Sequence, residues 1–271
     1  MKRVLLSLIL CLTLVVGMTG VTSASSKHAP VLSRIVESGE FRVGMSGNQP
    51  PFNIKSKTGE LIGYEVELAE ILAKAMNVKL KIVVKPFPQL LPALQKGEID
   101  AVMSGMTMTP ERNLKAAFVG PYIVSGKSIL TKDKTLVALS QVSDINVENI
   151  RIAALENSTS QKFVEVLLPK AQLVKVADYD EAVRMVLEDE VTAVVADFPI
   201  CVLSVLRHGS QGLVTLAAPL TIEPIGIALP AGDSLLLNLV QNYLGALEGI
   251  GLLEELEADW FDDASWLTQI P

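Results

Sequence analysis

The sequence is poor in the side chains that most often build metal centres and cross-links. Its 271 residues include only two cysteines and two histidines. Cys11 lies in the leader described below, so only Cys201 would remain in the mature chain and no intramolecular disulfide is possible. His28 and His208 lack metal-ligand spacing, and no Gly-x-Ser-x-Gly elbow marks a nucleophile. We therefore predict no metal, no cofactor and no catalytic residue.

Positive charge and long apolar runs are also scarce. The formal net charge is -7, and an acidic balance argues against nucleic acid as a partner. Beyond the leader, no apolar run is long enough to cross a bilayer. The chain is nevertheless 49% hydrophobic, which suffices for large cores. A prior of about 150 residues per domain predicts two domains.

The first 24 residues have the pattern of a secretory signal peptide. Met1-Lys2-Arg3 is basic, Val4 to Val16 is apolar, and Thr22-Ser23-Ala24 supplies small residues for cleavage. Leu10, immediately before Cys11, is a poor fit to a lipoprotein signal. The pattern predicts an exported protein.

A fixed positive charge follows one of the predicted buried strands. Residues Ile99 to Met103 indicate a parallel strand, and Thr109-Pro110 then predicts a capped helix start just before Arg112. Ligands of open α/β sheets bind at the carboxyl ends of strands. Arg112 could bind a ligand carboxylate through its planar fork or form a surface ion pair. Neighbouring Gly105 and Thr107 favour the ligand interpretation.

A second strand end carries the opposite charge. Ala193 to Ala196 indicates a strand that ends at Asp197, whose side chain would face water or a cation or would cap the next helix. Ser158 and Thr159 open another predicted helix. Free backbone N–H groups at such a start can form an anion site, with ordinary capping as the alternative.

Two aromatic residues lie just after a predicted strand or loop. Phe87 comes just after the strand at residues 80–84, and Phe52 follows a rigid loop with two consecutive prolines. Phe52 could offer its ring to a ligand or pack in a core. Glu65 and Glu67 lie in the first turn of a predicted helix, and we interpret them as structural because residues two apart do not face each other.

The order of elements predicts two α/β lobes joined by two crossings. We assign residues 31–123 and 226–271 to lobe 1, residues 127–221 to lobe 2, and the hinge segments to 122–126 and 220–225. Arg112 and Thr107 would face Asp197 and the Ser158-Thr159 turn across a cleft. That charge pattern matches a zwitterion, which indicates an α-amino acid.

The chain resembles the polar amino-acid family (family 3) of periplasmic solute-binding proteins, the receptors of ATP-driven importers. The resemblance covers nearly all of the mature sequence, and its specificity comes from the order and spacing of several motifs. These are the Pro-Pro-Phe loop, Gly63 to Ala69, Leu91 to Leu94, Asp100 to Arg112, Ser158-Thr159-Ser160, Ala193 to Asp197, Gly226-Ile227-Ala228 and Trp260-Phe261.

The resemblance implies the two-lobe type II (Venus flytrap) fold, a periplasmic location, an ABC permease as partner, and a monomer. It implies that Arg112 binds the ligand carboxylate with Thr107, the backbone of Gly105 and the Thr159 region, and that Asp197 takes the α-amino group. Phe87 and the loop before Pro50 would supply walls. The residues that would meet the ligand side chain are Ser46, Gln49, Met106, Leu155 and Ala196. None of them is charged, which favours a neutral or polar amino acid as the ligand.

The sequence departs from the family pattern at three positions, and two other functions stay open. Gln49 replaces a common aromatic residue, Asn157 replaces glycine and Thr192 replaces aspartate. A secreted dehydratase-like enzyme could use Glu156 or Glu223 as its carboxylate. A ligand-sensing module is the other alternative, although such domains are normally fused to a membrane span and a signalling domain, which this sequence does not show.

Overall fold

A computed structural model describes residues 29–138 and 145–271, so the predicted signal peptide lies outside the described residues. The principal helices are α1 (Pro30–Ser38), α2 (Tyr64–Ala75), α3 (Phe87–Gln95), α4 (Pro110–Asn113), α5 (Lys134–Val137), α6 (Thr159–Leu167), α7 (Tyr179–Leu187), α8 (Phe198–His208), α9 (Ser234–Gly249) and α10 (Leu252–Glu257). The strands are β1 (Glu40–Met45), β2 (Asn48–Gln49), β3 (Asn53–Lys55), β4 (Leu61–Ile62), β5 (Lys79–Val84), β6 (Ala101–Val102), β7 (Ala117–Ser125), β8 (Lys127–Thr131), β9 (Arg151–Leu155), β10 (Gln172–Val176), β11 (Ala193–Asp197), β12 (Val214–Thr215) and β13 (Glu223–Leu229).

Two five-stranded sheets form the centres of two lobes. The first has the order β5-β1-β6-β13-β7, with β1, β5 and β6 parallel and β13 antiparallel to its neighbours. The second has the order β10-β9-β11-β8-β12, with β9, β10 and β11 parallel and β8 antiparallel. Helices supply the crossovers that parallel strands require. The predicted two-lobe α/β architecture is confirmed.

The chain crosses between the two sheets at two places that touch each other. It leaves the first sheet at the end of β7 and enters the second at the start of β8, with Gly126 as the single residue between them. A Cβ atom on Gly126 would lie 2.0 Å from the carbonyl oxygen of Thr221 in the returning segment. Only glycine therefore permits this approach. The hinge segments 122–126 and 220–225 stay a prediction.

Local sequence signals explain where two helices begin. The Thr109 hydroxyl accepts a hydrogen bond from the Arg112 N–H, with Pro110 in the first helical position. At α9 the Asp233 carboxylate accepts from the Leu236 N–H and also from the N–H groups of Val31 and Leu32 at the start of α1. One buried carboxylate thus satisfies the amino ends of two helices and joins α1 to α9.

Within the described part of the chain, no helix combines the length and the apolar character needed to cross a membrane.

Candidate ligand-binding site

Arg112 lies at the contact between the two lobes. The short helix α4 holds it in place, and its side chain is buried with 8% exposure. Nη1 donates to the carbonyl oxygen of Thr107 at 2.9 Å, and Nη2 donates to the carbonyl oxygen of Asn157 in the other lobe at 3.3 Å. One guanidinium therefore contacts backbone from both walls of the cleft.

The positive charge of Arg112 has no carboxylate within 4 Å among residues 29–138 and 145–271. Its Cζ atom lies 5.6 Å from the ring centroid of Phe87, so an aromatic face covers one side. Burial lowers the pKa of the Arg112 guanidinium despite the opposing fields of Asp197 and Glu223. A buried cation held only by carbonyls and a ring is suited to an external anion.

The hydroxyl groups predicted at the cleft come together across it. Thr107 Oγ1 and Thr159 Oγ1 lie 3.2 Å apart, close enough for one to donate to the other. Ser158 instead caps α6, because its hydroxyl accepts from the Gln161 N–H at 3.1 Å. The capping alternative thus describes Ser158, whereas Thr159 faces Thr107.

Asp197 is buried, and its negative charge already has a partner within the protein. The Lys127 ammonium donates to Asp197 Oδ1 at 2.6 Å and lies 3.8 Å from Glu223 Oε2. Lys127 and Asp197 are 1% and 4% exposed. Asp197 makes no side-chain cap to α8, so the cation alternative is correct and the helix-cap alternative is wrong. The sequence reasoning did not identify the cation as Lys127.

Antiparallel pairing of β8 with β11 positions this ion pair. Lys127 opens β8, Asp197 closes β11, and the register places them directly opposite each other. One signal was present in the sequence: a lysine at the start of the otherwise uncharged strand Lys127–Thr131. A lysine buried at such a position requires an anion nearby.

Glu65 forms a second buried network behind the site in lobe 1. Its carboxylate accepts from the Gly105 N–H at 2.7 Å, from the Asn53 side-chain amide at 2.6 Å and from the Tyr122 hydroxyl. Burial raises the pKa of Glu65 to about 7, while these three hydrogen bonds oppose the shift. The network joins the loop before α4 to strand β7, which leads into the first crossing.

This network corrects the predicted role of Gly105. The amide that could have contacted a ligand carboxylate donates to Glu65 instead. Gly105 has a φ of 55°, a left-handed conformation that glycine adopts without strain. Its contribution is therefore to turn the chain between β6 and Thr107 and to attach that turn to α2.

Phe52 does not line the cleft. It is fully buried in the core of lobe 1, where its ring centroid lies 5.3 Å from that of Phe261 in an edge-to-face arrangement. The core-aromatic alternative is the one the structure supports. An aromatic residue after Pro-Pro is compatible with either position, because its direction depends on packing against the distant C-terminal segment.

The remaining predicted side-chain contacts are all buried, but on both sides of the cleft: Ser46, Gln49 and Met106 belong to lobe 1, whereas Leu155 and Ala196 lie in strands β9 and β11 of lobe 2. The Ser104 hydroxyl donates to Gln49 Oε1 at 2.7 Å and accepts from the Ser46 N–H at 3.0 Å. Gln49 and Met106 are each 1% exposed. Ser104, which the sequence reasoning did not single out, therefore holds the two loops in position.

A cavity of about 410 Å³ opens beside the cleft. Pro50 lines it from lobe 1, and Tyr179, Val183 and Ile200 are among the residues that line it from lobe 2. None of the predicted ligand-binding residues lines this cavity. Arg112 and Asp197, the predicted partners of the ligand carboxylate and ammonium, lie outside its lining.

Comparisons with known proteins identify the family of the chain. Residues 41–263 match the family of bacterial extracellular solute-binding proteins, family 3. The L-cystine-binding protein TcyJ of Escherichia coli (strain K12) is 26% identical over 245 residues, which cover 89% of this chain and 90% of that protein. The cyclohexadienyl dehydratase of Pseudomonas aeruginosa is 25% identical over 231 residues, covering 85% and 86%.

A solved structure has a similar fold. The putative binding component of an ABC transporter from Wolinella succinogenes, complexed with lysine, has a TM-score of 0.81 and 35% sequence identity. The match covers 85% of this chain and 99% of that one. The fold, the site and a family match over most of the length lead to one conclusion: the chain belongs to the bacterial extracellular solute-binding proteins, family 3.

Proposed function

We propose that this protein is an exported receptor that binds a small α-amino acid, neutral or polar, between its lobes and delivers it to an ABC permease. The observation that carries the proposal is Arg112, a buried cation at the lobe contact with no carboxylate partner among the described residues. The cystine-binding and lysine-bound relatives support the amino-acid class. After removal of the signal peptide the receptor acts in the periplasm as a monomer.

The two ends of the ligand bind to opposite walls. The carboxylate pairs with Arg112 in lobe 1, while the α-ammonium shares the Asp197 carboxylate with Lys127 in lobe 2. Charge-assisted hydrogen bonds contribute about 1.5–3 kcal/mol each. Four or five of them, less the cost of association, leave the roughly 8 kcal/mol of a micromolar complex.

Lobe closure is the signal that the permease recognises. Among the described residues, two hydrogen-bonded contacts link the walls beside Arg112: the Thr107–Thr159 hydroxyl pair and the hydrogen bond from Arg112 to the Asn157 carbonyl. A ligand carboxylate at Arg112 would strengthen the closed form, because it neutralises the charge on which both walls converge. Motion at residues 122–126 and 220–225 would open the cleft.

A thermal-shift screen against the common amino acids, followed by calorimetry, tests the proposal. We expect at least one neutral or polar amino acid to bind. Arg112→Met should weaken that binding at least a hundredfold, because the ligand carboxylate loses its buried counter-ion. Arg151→Met, which removes an exposed arginine from lobe 2, is the matched control and should bind normally. Near-normal affinity of the Arg112 variant would refute the assignment.

We further propose that the chain is a receptor rather than an enzyme. Of the two carboxylates considered for catalysis, Glu156 is exposed, and Glu223 accepts from the Thr221 hydroxyl and lies beside Lys127. Both oxygens of Glu65 accept hydrogen bonds from protein groups. The dehydratase relative makes one assay decisive: we expect no turnover of prephenate-like acids, and measurable turnover would replace the receptor proposal.

A further inference from the structure

Four charged groups lie at the contact between the lobes or at the crossings between them, and their formal charges balance before any ligand binds. Arg112 and Lys127 are positive, and Asp197 and Glu223 are negative, so their formal sum is zero. Lys127 is the unexpected member, because its ammonium lies 2.6 Å from the carboxylate that would receive a ligand ammonium. It is as buried as the hydrophobic core residues around it.

Lys127 is the group that neutralises Asp197 within the protein. Without it, Asp197 and Glu223 would face the cleft with a single opposing charge at Arg112, and that charge is needed by the ligand carboxylate. A site of that kind requires a ligand that brings its own cation. With Lys127 present, Asp197 is neutralised whether or not the ligand carries an ammonium group.

We infer that Lys127 determines the charge of the ligand: it excludes ligands with a net positive charge and lets a 2-hydroxy acid replace the corresponding amino acid. The inference rests on the proposed carboxylate site at Arg112. Two features of Lys127 support the inference. Lys127 has further N–H donors that a ligand hydroxyl oxygen could accept from, and its positive charge repels any cationic side chain that enters the closed cleft.

A solved relative that binds lysine gives a comparison for this inference. That protein shares the fold and binds a ligand with two ammonium groups. Such a ligand would bring a second ammonium group into a cleft that already contains Arg112 and Lys127. The substrate class we infer is therefore monocarboxylic acids that are neutral or singly negative overall.

Calorimetry with two sets of shape-matched probes tests the inference. The first set is L-lysine, L-norleucine and (S)-2-hydroxyhexanoate, which share a six-carbon chain and carry net charges of about +1, 0 and -1 at neutral pH. The second pair is L-phenylalanine and L-3-phenyllactate. For the unmodified protein we expect each hydroxy acid to bind within about tenfold of its amino acid, and L-lysine to bind at least tenfold more weakly than L-norleucine.

The Lys127→Met variant should reverse this order. Its cleft has a net negative charge, so L-lysine should gain at least tenfold relative to L-norleucine, and both hydroxy acids should lose at least tenfold relative to their amino acids. Asp197→Asn is the matched opposite change, and it should favour the hydroxy acids. Should Lys127→Met fail to fold, Lys127→Gln removes the charge while keeping a hydrogen-bond donor for Asp197.

Three results would overturn the inference. They are a preference of the unmodified protein for L-lysine, an unchanged order of probes in the neutral Lys127 variants, and no binding of any probe by those variants. These outcomes differ from failure of the proposed function, in which the unmodified protein binds no common amino acid and Arg112→Met has no effect. A receptor that binds amino acids but ignores the Lys127 charge would retain the proposed function and lose only this inference.

Discussion

The two walls of the cleft differ in whether their buried charge has an oppositely charged partner. In lobe 1, Arg112 is held by two carbonyl groups and an aromatic ring and has no anion beside it. In lobe 2, Asp197 is held by Lys127 from the neighbouring strand. Asp197 is the last residue of strand β11, whereas Arg112 lies in the short helix α4 that follows strand β6.

This difference in counter-ions gives the two residues different roles. Arg112 is mainly a ligand-binding group, whereas Asp197 has a structural role in its ion pair with Lys127 and can also bind a ligand. A buried cation without a counter-ion costs stability in the empty protein and recovers that cost when an anion arrives. A buried ion pair is complete in the empty protein, and a ligand can only share it. The comparison therefore predicts that substitutions in the two walls affect folding and binding differently.

The largest expected effect is on stability in lobe 2. Lys127→Met leaves the Asp197 carboxylate buried without its partner, which should lower the free energy of unfolding by about 3–5 kcal/mol. Arg112→Met should leave that free energy unchanged or slightly higher, since no protein anion is stranded. Urea unfolding of both variants measures the contrast. Equal losses in the two variants would mean that Arg112 has an internal counter-ion after all.

A smaller effect should appear as a pH dependence of stability that comes from Glu65 in lobe 1. Glu65 has a pKa of about 7 in the folded protein against an ordinary value of 4.5. The folded state therefore binds the proton more tightly, so its stability relative to the unfolded chain falls as pH rises from 4.5 to 7. The difference corresponds to about 3 kcal/mol as an upper value.

Glu65→Gln is the control for this pH dependence. Glutamine does not titrate and keeps an oxygen that accepts from the Gly105 N–H, so the fall in the free energy of unfolding between pH 4.5 and 7 should largely disappear. Urea unfolding at several pH values gives the comparison. A fall of the same size in the variant would assign the pH dependence to other carboxylates.

Much of the architecture was predictable from local sequence signals. The cap at Thr109 and the helix whose first turn contains Glu65 and Glu67 need only neighbours within a few residues, and the structure has both. The two-lobe arrangement followed from the order of strands and helices. Such features depend on short-range hydrogen bonds and on the spacing of apolar residues.

The partners of the buried charges were not predictable in the same way. Lys127 and Asp197 are 70 residues apart, and only the antiparallel register of β8 and β11 brings them together. Glu65 was judged against Glu67 on its own helix, whereas its partners come from three other segments. Phe52 could have turned toward the cleft, and its contact with Phe261 requires the C-terminal segment to be in place.

The smallest predicted effect concerns the contact between the walls. Thr159→Val removes one of the two hydroxyl groups that meet across the cleft while keeping the shape of the side chain. Loss of a hydrogen bond of about 0.5–1.5 kcal/mol should weaken ligand binding roughly two- to tenfold. The free energy of unfolding should change by no more than that amount, because the substitution removes one part-buried hydrogen bond and keeps the packed volume of the side chain. Thr268→Val, at an exposed threonine far along the chain, is the control and should bind normally. A variant of Thr159 with full affinity would show that the closed cleft depends on Arg112 rather than on the hydroxyl pair.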